Sequence, residues 1–164
     1  MARSRKSEEV KQFLLENDLS TGFVRLEQSA LTSDDAARSL STDLQSVVKS
    51  LVFINGDRPI IVLVGGDQRV DEGKLSEACG GTPIRRASPT EARRSTGFSV
   101  GAIPPFGHIN LLYTLVDQHL LTRRTLYASA GSFDMMLSFS PNILLQLANI
   151  EVADVAAANP VQAD

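Results

Sequence analysis

The chain has 164 residues, 43% hydrophobic and 21% charged, a composition that fits one globular domain burying roughly 70% of its unfolded surface. A formal net charge of -3, with a pI near 5.4, argues against gripping a long nucleic-acid duplex through many phosphates. Trp is absent and Tyr occurs twice, which excludes a surface of many aromatic stacking platforms, and the single Cys79 excludes an internal disulfide. No apolar run reaches the ~20 residues of a membrane span, and "MARSRKSEEV" lacks the apolar stretch of a secretory signal, so a soluble cytoplasmic protein is expected.

In chain order, residues 7–15 show helical spacing, with Val10, Phe13 and Leu14 on one face. "TGFVRLEQ" (21–28) reads as a short strand. "LTSDDAARSL" (31–40) starts a helix with Thr32 or Ser33 as N-cap and acids in the first turn. "SVVKSLVFIN" (46–55) and "PIIVLVGG" (59–66) are apolar strands around Asn55-Gly56-Asp57, a strong hairpin signal. "DEGKLSEACGG" (71–81) is a short helix ended by Gly80-Gly81. After a third strand at "TPIRRA", Ser88, Pro89 and Glu91 supply N-cap, first-turn proline and capping-box acid for a helix through Arg94. "TGFSVGAIPPFGH" (96–108) is too rich in Gly and Pro for regular structure. Strands follow at "NLLYTLVD", "TLYAS" and "FDMMLSF", then a last helix "PNILLQLANI" opened by Ser140-Pro141, and an Ala-rich tail expected to fray after Val155. Strands and short helices mix without regular alternation. The expected fold is therefore α/β, one domain over 1–164 with a core at about 20–150, a mixed hairpin-containing β-sheet surrounded by helices, and a peripheral N-terminal helix.

Most catalytic signatures are missing. Two histidines and one cysteine, far apart, provide no zinc spacing, and no nucleophile elbow or phosphate loop occurs. No metal or cofactor is expected. His108 reads either as a base or as a hydrogen-bonding residue beside the Gly-rich loop. The pairs Arg85-Arg86, Arg93-Arg94 and Arg123-Arg124 read either as solvated surface or as a limited phosphate-contacting patch. Lys49 is the unusual residue: alternation places it on the face of Val47, Leu51 and Phe53. An ammonium there either snorkels and guards an edge or points into a pocket, where desolvation strengthens its pull on a phosphate, carboxylate or carbonyl. "GAIPPFG" suits the facing wall, because Gly101 admits close backbone approach and Pro104-Pro105 stiffens the chain.

The segments "LTSDDAARSL", "VVKSLVFIN", "PIIVLVGGDQRVDEGKL", "IRRASPTEARRSTGFSVGAIPPFGH", "VDQHLL" and "ASAGSFDMMLSFSP", in this order, resemble the YbaK family. This is the aminoacyl-tRNA deacylase domain that also occurs inserted in bacterial prolyl-tRNA synthetases. The resemblance implies hydrolysis of a small amino acid (Ala, Ser, Thr, Cys or 2-aminobutyrate) wrongly attached to tRNA, chiefly proline tRNA, with prolyl-tRNA synthetase as a partner. It makes Lys49 the match to the family's essential lysine, with Gly101 beside it in catalysis. Ser50, Pro104, His108, Gly131 and Asp134 are the substrate-binding candidates, Gly101 and Pro104 matching a Gly-x-x-Pro loop and Gly131 and Asp134 a late closing segment. Two positions depart or vary: "EQSA" (27–30) replaces a common His-Pro pair, and Ser50 follows the lysine where members differ, so both bear on the amino acid accepted. Two rivals stand beside this reading, a non-catalytic RNA-acceptor-binding module of the same fold and a Schiff-base lysine acting on a small carbonyl compound.

Overall fold

The computed structural model describes residues 5–157. Each helix starts where a side chain meets its free amides, an arrangement worth about 1 kcal/mol per cap. In α1 (Ser7–Glu16) the Glu9 carboxylate accepts the Lys6 amide at 2.8 Å, and Val10 and Leu14 are buried. The Thr32 hydroxyl accepts the Asp35 amide at 3.1 Å to start α2 (Ser33–Leu40). Asp71 caps α3 (Glu72–Ala78). Ser88 and Glu91 form the expected capping box of α4 (Pro89–Thr96), which stops at Gly97 with φ +85°.

The fold is α/β with helices around mixed, hairpin-containing β structure, as the sequence predicts, and its strands divide between two sheets. β2 (Val48–Asn55) and β3 (Arg58–Gly65) form the hairpin, with Asn55 opposite Arg58 and Gly56 in the turn at φ +67°. β4 (Ile84–Arg86) lies antiparallel to the end of β2, while β5 (Thr114–Asp117) and β8 (Ile150–Ala153) add on the other side in parallel, in the order β4-β2-β3-β5-β8. β1 (Gly22–Arg25), β7 (Met135–Phe139) and β6 (Leu126–Ser132) form a separate three-stranded antiparallel sheet. A parallel bridge between Val47 and Tyr127 joins the two.

The inner face of the larger sheet (Val48, Val52, Ile61, Leu63, Val116) meets Leu126, Ala128, Leu137 and Phe139 of the smaller one, with α1 and Phe98, Ile103 and Phe106 closing the core. The outer face carries Phe53, Ile60, Val62, Val64 and Leu115 beneath Leu75 of α3 and Val155. β3 is covered on both faces, which explains its unbroken apolar run.

The C-terminal third corrects two expectations. Pro141–Gln146 is a 3-10 turn, not the start of a helix through Ile150, and the chain continues into β8. The backbone draws it there: Asn149 O accepts the Thr114 amide at 2.9 Å while its side-chain amide donates to Leu112 O at 2.8 Å. The tail is also pinned as far as Ala157, and residues 158–164 of the predicted frayed segment lie outside the described residues. The buried Asp117 carboxylate accepts the amides of Val155 and Ala156 on Oδ1, each at 3.1 Å. Its Oδ2 accepts His119 N at 3.1 Å and Nδ1 at 2.7 Å. Asp117→Ala strands two buried amides, so chemical denaturation is expected to show a loss of roughly 3 kcal/mol. A loss under about 1 kcal/mol would mean that the clamp is dispensable.

Candidate active site

β4 is paired only with Phe53, Ile54 and Asn55 and the bridge to Tyr127 lies at Val47, so the stretch of β2 between them has no paired strand on that side. Val47 O accepts Gly66 N on the β3 side, whereas Val52 O accepts Ala87 N on the β4 side. Alternation therefore turns the N–H and C=O of Ser50 toward the uncovered edge. A cleft of about 430 Å3 lies against that edge, within the few hundred Å3 typical of small-molecule sites. Its walls are the start of α2, β2 itself, the β4–α4 junction, the Gly/Pro loop at Gly101 and Ile103, and the β6–β7 connection at Phe133.

Among the described residues only two charged side chains line the cleft, Lys49 and Arg86, and no carboxylate or imidazole does. In a protein of net charge -3 this is a locally cationic cavity with largely apolar walls. Lys49 shares the face of Leu51 and Phe53, as alternation requires, while Val47 turns instead toward Ala36 of α2. Its half-buried amine donates to the backbone carbonyl of Gln68. Burial lowers its pKa below the ordinary 10.5; Asp67 opposes this, Arg86 and Arg69 add to it, and Asp34 opposes it more weakly. An ammonium has three donors, so the Gln68 contact leaves two for a ligand. Ser50 points the other way, into the same cleft, and its buried hydroxyl has no partner among the described residues. Gly101 faces the edge at φ +90°, and a Cβ there would come 3.1 Å from Phe133 Cε1. Glycine is thus required by the backbone and by the space.

Lys49, Ser50 and Gly101 are brought together; Pro104, His108, Gly131 and Asp134 do not line the cleft. His108 Nε2 donates to the Pro104 carbonyl at 2.7 Å, and its ring meets Phe98 edge-on. Desolvation brings the His108 pKa down to about 4, against a weaker opposite pull from Pro104, so at neutral pH the ring is an uncharged brace. Gly131, at φ +99°, lets the chain pass Phe98 and the N-terminal segment, since a Cβ would lie 2.7 Å from Phe98 Cε1 and 3.0 Å from the Lys6 carbonyl carbon. Asp134 is a partly exposed turn residue paired with Arg25 at 2.9 Å. In this structure His108, Gly131 and Asp134 brace or shape the loops around the cleft.

The sequence reading did not single out Arg86 from its pair, nor Leu31, Thr32, Ser33 or Phe133 as wall residues. The departure at "EQSA" was the available signal, for Ala30 and Leu31 form the wall there and Ala30 N donates to Phe133 O at 2.8 Å. Behind the loop, Phe13 of α1 stacks on Phe106 at 5.4 Å and Arg5 N donates to Gly97 O at 2.7 Å.

The family model for the aminoacyl-tRNA editing domain matches residues 27–147, and the chain belongs to that family. A solved structure of a candidate trans-editing enzyme for prolyl tRNA synthetase is similar at TM-score 0.87 and 32% identity, over 96% of this chain and 100% of that one. YwhH of Bacillus subtilis is 30% identical over 134 residues, 81% of this chain and 82% of the relative. A candidate Cys-tRNA(Pro)/Cys-tRNA(Cys) deacylase, EbsC of Enterococcus faecalis, is 25% identical over 126 residues, 76% of this chain and 77% of that protein. The proline–tRNA ligase of Ligilactobacillus salivarius is 36% identical over 89 residues, which are 54% of this chain but only 16% of the ligase. Among the described residues, no helix is long and apolar enough to cross a membrane, and no group of three His, Cys, Asp or Glu side chains gathers as a metal site.

The depressed His108 pKa has a pH signature. Between 6.5 and about 4 the unfolded state takes up a proton that the folded state refuses. The stability is therefore complete above 6.5 and is lost as pH falls toward 4. Unfolding free energies from urea titrations between pH 7 and 4 are expected to drop by on the order of 2 kcal/mol through this residue, and the drop shrinks in His108→Gln. An identical pH slope in that variant contradicts the assignment.

Proposed function

We propose that the protein is an aminoacyl-tRNA deacylase that removes a small, wrongly attached amino acid from tRNA, with proline tRNA its substrate. The observation that carries this reading is the cleft in which two cations, an open strand edge and a glycine turn converge without a carboxylate. Family membership supplies the reaction class, and the small apolar wall residues Ala30, Ala36 and Ala92 suit a small side chain. Such an activity has a clear physical purpose. A synthetase pocket rejects a smaller or isosteric amino acid by only about 1–3 kcal/mol, so a second, hydrolytic site raises fidelity.

The ester is activated, so positioning and charge are enough. Water attacks the ester carbonyl, the bond to the ribose oxygen breaks, and that oxygen leaves with a proton. The free donors of Lys49 hold the terminal phosphate or polarise the carbonyl, while the Ser50 edge and the turn at Gly101 fix the ester beside the water. The cleft offers the hydroxyls of Thr32, Ser33, Ser50, Ser129 and Ser132, yet none has an imidazole or carboxylate base within the lining. The attacking group is therefore water rather than a protein nucleophile.

The test is a deacylation panel on proline tRNA charged with alanine, serine, threonine, cysteine, 2-aminobutyrate or proline. Wild type should clear at least one of the first five and spare prolyl-tRNA. Lys49→Ala should lose roughly 100-fold or more in rate with unchanged unfolding; a variant near the wild-type rate would overturn the role. Hydrolysis of no member of the panel, with RNA still bound, would instead identify a binding module.

The Lys49 assignment also sets a pH trend. The cationic form is the active one, and it is lost as pH rises through a value below the usual 10.5. The ratio of wild-type to Lys49→Ala rates should accordingly fall with alkaline pH, a comparison that cancels spontaneous ester hydrolysis. A ratio that climbs with pH would indicate a free amine acting as base or nucleophile. Gly101→Ala should cost about 1–3 kcal/mol of stability for its left-handed backbone and lower the rate through displaced Phe133; full activity would remove Gly101 from the site.

A further inference from the structure

The three arginine pairs look alike in sequence, but the structure separates them. Arg85 is held bidentately by Glu91 at 2.8 and 2.7 Å, inside the capping network of α4. That arrangement holds the Glu91 carboxyl at about 2, chiefly through the Arg85 hydrogen bond. Arg123 is tied to Asp43 at 3.0 Å and to Ser46 Oγ at 3.1 Å. Arg93, Arg94 and Arg124 are not among the residues lining the cleft.

Arg86 differs from all of these. It is exposed, lines the cleft mouth, and rests its guanidinium 5.5 Å from the centre of the Phe53 ring, with no carboxylate paired to it among the described residues. The ring orients the guanidinium without neutralising it. Arg69 is likewise exposed and has no carboxylate partner among the described residues, and it lies close enough to Lys49, as Arg86 does, to act on its charge. Two cations, Lys49 and Arg86, thus line the cleft, and Arg69 acts on Lys49 from outside its lining. Asp67 and Asp34 offset part of the Lys49 charge, but neither pairs with Arg86, whose guanidinium is left to meet an anion.

We propose that Arg86 anchors a backbone phosphate of the single-stranded 3′ end of the tRNA, with Arg69, which lies near enough to act on the Lys49 charge, as a second phosphate contact. The strand then runs along the open edge of β2 and delivers its esterified end to the cleft. This deepens the deacylase reading and rests on it for the identity of the RNA. The contacts are to backbone, so they position the strand and carry no base information.

The test is equilibrium binding of an uncharged RNA hairpin with a single-stranded CCA end, by fluorescence anisotropy across a salt series. Each phosphate contact on a single strand contributes ~0.7 to the slope of log affinity against log salt. Arg86→Ala should reduce the slope by about 0.7, the Arg86→Ala/Arg69→Ala double variant by about 1.4, and Arg86→Lys should restore it. Arg85→Ala should leave it unchanged. Arg86→Gln, which keeps the length and polarity of the side chain, serves if the alanine variant unfolds. An unchanged slope in a folded Arg86 variant, or a wild type whose RNA binding does not depend on salt, overturns the proposal. Deacylation is followed on the same preparations. A wild type that shows the Arg86-dependent slope but hydrolyses no charged tRNA retains the anchor and removes the deacylase reading.

Discussion

β2 is paired along its whole length by β3 but on its other side only at its end. Inside a sheet, every backbone polar group is consumed by a neighbour; along an uncovered stretch, alternate residues present theirs outward. Such an edge invites pairing with other chains, and proteins commonly blunt it with charge or cover it with other elements. Here both occur. The start of α2, the Gly/Pro loop and the β6–β7 turn close around the edge, and Lys49 and Arg86 place positive charge on it. What remains open is a cleft where strand donors, fixed cations and a close-approaching glycine meet, and the proposed chemistry depends on that geometry.

The position of the glycine turn is maintained from behind. Phe13 against Phe106, Arg5 N on Gly97 O, and His108 on Pro104 O tie residues 97–108 to the body of the protein. Two of these three ties come from the N-terminal segment, which precedes the 27–147 family match. A helix that looks peripheral by sequence therefore bears on the placement of Gly101. His108 contributes as a neutral hydrogen-bond donor, a role that its buried surroundings favour over proton transfer near neutral pH.

A cationic cavity in an acidic protein also bears on how substrate is chosen. On the proposed deacylase reading, the apolar walls at Ala30, Ala36 and Ala92 limit side-chain size, whereas Lys49 and Arg86 meet phosphate and say nothing of the amino acid. On that reading, discrimination among small amino acids falls to the wall at Ala30 and to the unpartnered Ser50 hydroxyl. An unsatisfied buried hydroxyl is costly when left empty-handed and is well suited to separate a polar from an apolar substrate group.

Local features were legible from the sequence. The Thr32 and Ser88 caps, the Asn-Gly hairpin and the face shared by Lys49, Leu51 and Phe53 follow from short-range geometry, which the chain encodes within a few residues. The family followed from the order of its segments. β8 was not legible, because "IEVA" is a four-residue edge strand with one buried side chain, and it is paired only with β5. The division into two sheets, the pinning of Val155 and Ala156 by Asp117, and the separation of Arg86 from Arg85 are also long-range. So is the parting of Lys49, Ser50 and Gly101 from Pro104, His108, Gly131 and Asp134. Spacing along the chain determines which backbone groups a residue can reach nearby; only the packed fold decides which distant neighbours neutralise a charge, bury a carboxylate or leave a strand edge open.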